Sequence, residues 1–138
     1  MRHPLIRLAP FALLTACSSG PEPAHDPQLA WVDLAMLGGT AILAERLDGK
    51  RLEDGRYFQV APGAHALVVR YDYEVMVLPT FMSDPAERMC YITLEYTDFK
   101  PGVRYRLQAR NVGMEPSARL YDESNQIVAE DKEQYCLW

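Results

Sequence analysis

Val60-Ala-Pro-Gly-Ala-His-Ala-Leu-Val-Val-Arg-Tyr-Asp-Tyr-Glu-Val-Met-Val-Leu78 is the stretch that decides the fold. Pro62-Gly63 turns the chain, and strict alternation follows. His65, Leu67, Val69, Tyr71, Tyr73, Val75 and Val77 fall on one side. Ala66, Val68, Arg70, Asp72, Glu74 and Met76 fall on the other, with charge in the middle. A period of two over this length predicts a half-buried strand rather than a helix.

The segments on either side repeat the signal. Trp31–Leu37 alternates with apolar residues on both faces, which suits a strand between two layers. Thr40–Leu47 has helix-forming residues, yet Asp48-Gly49 is a hairpin turn signal with Lys50–Leu52 returning, so a strand is expected. Tyr57–Val60 is a short strand. Met89–Thr97 would bury Cys90, Ile92, Leu94 and Tyr96. After Lys100-Pro101-Gly102, Val103, Tyr105, Leu107 and Ala109 would face in, giving a hairpin whose outer face carries Arg104, Arg106 and Arg110. Exposed arginines of this kind pair with acids on the neighbouring strand, Glu95, Asp72 or Glu74. A last hairpin joins Ala118–Tyr121 to Ile127–Ala129, followed by an acidic tail that ends in aromatic and apolar residues and would dock back on the body. The expected fold is an all-β antiparallel sandwich of about seven to eight short strands over residues 29–138.

At 138 residues and 49% hydrophobic content the chain supports one globular domain. No run of about 18 apolar residues is present to form a spanning helix. The formal charge is −5. Without Arg2 and Arg7 the 14 basic residues become 12 against 19 acidic, a net −7 for residues 17–138. That balance excludes nucleic acid as a partner, because phosphate binding needs a positive footprint. It favours basic partners.

Met1–Ala16 has the order of an export signal: Arg2 and Arg7, an apolar Leu8–Leu14, then small residues before a cysteine. Leu14-Thr15-Ala16-Cys17 resembles the lipobox of bacterial lipoproteins. The resemblance implies cleavage before Cys17, a lipid on that cysteine, and attachment to a membrane through several acyl chains. Ser18 in the next position implies the outer membrane, facing the periplasm. Ser18–Gln28, with three prolines and a glycine, reads as a flexible tether. Within it His25 is expected to be solvated. The short strand followed by Val60-x-Pro62-Gly63-x-His65-x-Leu67-x-Val69 is similar to PEGA-type and related small β-sandwich modules of envelope proteins, over about Asp48–Tyr71. It implies an architecture and no activity.

With Cys17 lipidated, Cys90 and Cys136 remain. In an oxidising compartment an isolated pair is most simply a disulfide; a metal-binding or reactive pair lacks C-x-x-C spacing and a nearby histidine. Catalytic sets are missing from the pattern. His65 has no G-x-S-x-G elbow to serve, the acids are scattered, and the methionines do not cluster. No enzyme, cofactor or metal is expected. Leu78–Arg88 is the longest connection in the domain, and Phe81 and Met82 within it form a candidate partner-binding loop. The expected function is a lipid-anchored structural or binding module with an envelope protein as partner. The alternative is an inhibitor or immunity-type lipoprotein that blocks a basic hydrolase such as lysozyme.

Overall fold

A computed structural model describes residues 20–76 and 84–137. Nine strands follow in chain order: β1 (Ala30–Ala35), β2 (Thr40–Leu47), β3 (Lys50–Arg51), β4 (Tyr57–Val60), β5 (Gly63–Val75), β6 (Ala86–Phe99), β7 (Arg104–Val112), β8 (Glu115–Tyr121) and β9 (Ile127–Leu137). The described residues contain no helix. All nine strands form one sheet in the order β3-β2-β5-β6-β9-β8-β7-β1-β4.

Alternation places the core. Leu67, Val69, Tyr71, Tyr73 and Val75 of β5 are buried, as are Cys90, Ile92 and Leu94 of β6. They share one cluster with Ala30, Val32, Phe58, Val60, Leu107 and Leu120 from the far end of the sheet. The sheet therefore folds over, and its two halves bury their apolar faces against each other. Side chains cross the gap: the Tyr71 hydroxyl donates to Asn111 Oδ1 at 2.9 Å, and the Tyr73 hydroxyl to the Met114 carbonyl at 2.9 Å. At the other end Tyr105 meets the rings of Phe99 and Tyr96 edge-on, at 5.1 and 5.8 Å. The sheet stays open. Between β2 and the approach to β4, the Ala44 amide donates to the Gly55 carbonyl at 2.8 Å.

The fold line is β9. Its first residues pair with β8, Leu120 against Ala129, and its last with β6, Ile92 against Gln134. Two irregularities, which leave Val128 and Lys132 as extra residues, let one strand change partners. The Asp131 carboxylate accepts from the Ala118 amide at 3.0 Å and satisfies a ladder donor there.

The all-β expectation holds among the described residues, and four finer expectations are corrected. The strands are nine rather than seven or eight, and the sheet is mixed, because β1 runs parallel to β7 with Val32 opposite Tyr105. β6 and β7 are not a hairpin: Lys100-Pro101-Gly102 carries the chain from one half of the sheet to the other. The reason is the aromatic burial at its ends, since Phe99 and Tyr105 pack edge-on across the core only if their strands lie in opposite halves. β7 and β8 join through a tight turn at Gly113-Met114, with Val112 opposite Glu115 and Gly113 at φ +60°. The acidic C-terminal segment is a strand inside the sheet, not a docked tail. It is tolerated there because a strand on the fold line contributes little to the core.

The Asp48-Gly49 turn has the expected form. Leu47 pairs with Lys50, and both turn residues have positive φ, as a two-residue hairpin turn of this hand requires.

Candidate functional site

The outer face of the β2-β5-β6-β9 half is the candidate site. Cross-strand register lays its residues out in rows. Leu43, Arg70, Tyr91 and Tyr135 form one row, and Ala41, Asp72, Met89 and Leu137 the next. Tyr135 is 64% exposed and Leu137 40%. A groove of about 680 Å³ opens at the end of this face, lined by Ala41, Asp72, Glu74, Glu87, Met89 and Leu137 among others. Its lining mixes apolar residues with three acids and two arginines, Arg70, which is paired with Asp72, and Arg88, which donates to the Met114 carbonyl at 2.9 Å.

The charges on this face are unevenly matched. Asp72 is held by Arg70, with Nη2 at 2.8 Å, and Glu95 by Lys132 at 2.8 Å. Glu74 and Glu87 stand directly opposite each other on β5 and β6, both exposed, and neither forms an ion pair among the described residues. Like charges in direct cross-strand register destabilise a sheet. Glu87→Lys is therefore expected to raise the unfolding free energy by about 0.5–1 kcal/mol, read as a higher urea midpoint at unchanged slope.

The opposite outer face carries the tether. Trp31 lies outside the core cluster yet is only 3% exposed. His25 stacks on it at 3.9 Å and Tyr57 at 4.3 Å, and its indole N–H donates to Asp33 Oδ1 at 2.9 Å. The Gly102 amide donates to the Leu29 carbonyl at 2.9 Å. His25 is thus docked rather than solvated. What the sequence conceals is that a tryptophan on the outward side of an edge-proximal strand needs a cover, and the preceding segment supplies it.

Asp33 also takes a two-pronged bond from Arg104, Nη2 to Oδ1 at 3.1 Å. Partial burial pushes its carboxyl up, but the bonds from Arg104 and Trp31 outweigh this and hold it below the ordinary carboxylate range. A depressed folded-state pKa stabilises at pH values above the unfolded-state pKa, about 3.9, and that contribution fades as pH falls through the folded value. Both side chains are well exposed, so screening keeps the effect small. Asp33→Asn is expected to cost about 0.5–1 kcal/mol at pH 7 and almost nothing at pH 2, measured by denaturation at both.

The other sequence-nominated residues fall as follows. Cys90 and Cys136 face each other on β6 and β9, Cα atoms 4.0 Å apart, and are bonded. His65 Nδ1 lies 2.6 Å from Asp48 Oδ2, while Asp48 Oδ1 accepts from the Ala66 amide at 2.9 Å. These bonds, the Ala66 amide foremost and then His65, hold the Asp48 carboxyl low. They pin the hairpin turn to β5, and among the described residues no hydroxyl or thiol bonds the ring. The arginine stripe pairs differently from the expected pattern: Arg104 with Asp33, and Arg106 with Asn125 at 2.6 Å and over the Tyr121 ring. The acids proposed for it belong to the other half of the sheet. Among the described residues no group of three or more histidines, cysteines or acids is placed to hold a metal. Cys17, Phe81 and Met82 lie outside the described residues.

No protein-family model, curated protein or solved structure matches this chain.

Proposed function

We propose that this chain is a lipid-anchored envelope protein, held by Cys17 at the outer membrane and acting on the periplasmic side as a non-enzymatic binding module. The observation that carries the reading is Leu14-Thr15-Ala16-Cys17 followed by a short tether. Its support from the fold is the placement of that tether. It lies against Trp31 on one half of the sheet, while the apolar groove belongs to the outer face of the other half. A body held from one side keeps its opposite side for a partner. The second reading, an inhibitor of a basic hydrolase such as lysozyme, is favoured by the uncompensated Glu74 and Glu87 in the groove wall.

Cys17→Ser tests the anchor. The wild-type chain is expected in the membrane fraction with an acylated Cys17 in its intact mass. The variant is expected to lack the acyl mass and to leave the outer-membrane fraction, because position 17 can no longer carry the chains that hold it there. A mature wild-type chain with a free Cys17 thiol would defeat the reading.

A further inference from the structure

Resting on the reading of this chain as a binding module, we propose that the outer face of β2-β5-β6-β9 docks a cationic protein, one of whose arginine or lysine side chains lies in the groove between Glu74 and Glu87. The face has the composition of an interface centre. Tyr91, Tyr135, Met89 and Leu137 are contiguous on it, and aromatic and methionine side chains are enriched where partners meet.

Charge selects the occupant. The groove is lined by the apolar Ala41, Met89 and Leu137 and by the opposed carboxylates Glu74 and Glu87; of its two arginines, Arg70 is paired with Asp72 and Arg88 donates to the Met114 carbonyl. A long basic side chain fits both parts at once: its methylene stem covers apolar surface while its charged head meets carboxylate. A guanidinium forks to two acceptors and suits the site best. The other candidates meet repulsion. A second copy in a two-fold contact brings this acidic face against itself, and a symmetric interface must be self-complementary. Anionic lipid headgroups and nucleic acid carry the wrong sign. The cross-strand pairing of two glutamates is also explained, since a contact unfavourable in the free protein is relieved by a cation in the complex.

The test uses the full chain in isolated outer membranes, with a photoreactive phenylalanine analogue replacing Tyr135. A control places it at Arg119, which is paired with Glu130 on the other half of the sheet. The expected result is one cross-linked protein of net positive charge from position 135 and none from position 119. The yield should fall at least fivefold in Glu74→Gln/Glu87→Gln and again when salt is raised from about 50 to about 500 mM. A product that is acidic, or is a second copy, or is unaffected by the double substitution overturns the proposal, as does no product at all. The double variant is expected to be at least as stable as the parent, and its urea midpoint checks that it folds. The same samples report Cys17 acylation by mass. An acylated chain without cross-link sinks the docking face alone, and a cross-link on unacylated chain sinks the anchor alone.

Discussion

Removing the Cys90–Cys136 bond, by Cys136→Ala or by reductant, is expected to lower the unfolding free energy by about 4 kcal/mol. The two cysteines are 46 residues apart in sequence. Opening a loop of that size returns a large conformational entropy to the unfolded chain. A small domain is stable by about 5–15 kcal/mol in total, so the bond supplies a large share. Its position adds a local effect. β9 is the strand on which the sheet folds, and its residues are mostly exposed. It is held by ladder bonds, by Lys132 on Glu95, and by the disulfide, with little apolar burial of its own. Breaking the bond should therefore expose the Gln134 and Tyr135 amides to solvent exchange well before global unfolding. Urea denaturation with and without reductant checks the first effect, and hydrogen exchange at those amides the second. An unchanged midpoint would mean that β9 holds its place without the staple.

What could be read in the sequence was the direction of side chains, because that depends only on the two-residue period of the strand. Every buried residue of β5 from Leu67 to Val75 lies on the side assigned by alternation. The Asp48-Gly49 turn was legible because positive φ at two successive residues restricts which residues serve there. Pairing was not legible. Whether Lys100-Pro101-Gly102 joins neighbours or crosses the core depends on where Phe99 and Tyr105 meet, a contact between strands that no local pattern encodes. β9 was legible only over Ile127–Ala129, for the opposite reason. Ile127-Val-Ala-Glu-Asp-Lys-Glu-Gln-Tyr-Cys-Leu137 has no continuous alternation, because two extra residues shift its phase and most of it faces water. The disulfide was legible as a pair of residues, not as the clamp of a fold line. The outer-face groove was not legible, because its residues come from four strands and lie together only through register.

Trp31→Ala should cost about 3–5 kcal/mol, the range for deleting a buried large aromatic, although the residue sits outside the shared core. At 3% exposure the indole is as dry as a core side chain. Its removal strips the partner from both His25 and Tyr57 and a hydrogen bond from Asp33. His25→Ala removes only the cover, and should cost about 0.5–1.5 kcal/mol, the worth of one ring contact. Urea denaturation of the two variants separates a stacked clip from a solvated tether, for which the change at position 25 would be near neutral. Exchange at the Gly102 amide, which donates to the Leu29 carbonyl, should accelerate in Trp31→Ala. The consequence for an anchored protein is reach. With His25 docked, the eight residues from Cys17 to Ala24 set an upper bound on the order of 25 Å at about 3.1 Å per residue. Undocked as far as Gln28 the bound is on the order of 35 Å. On the proposed lipid-anchored reading, the stack therefore sets how far the body stands off. On the same reading, a segment clipped along β1 and β4 leaves the outer face of β2-β5-β6-β9, in the other half of the sheet, for a partner.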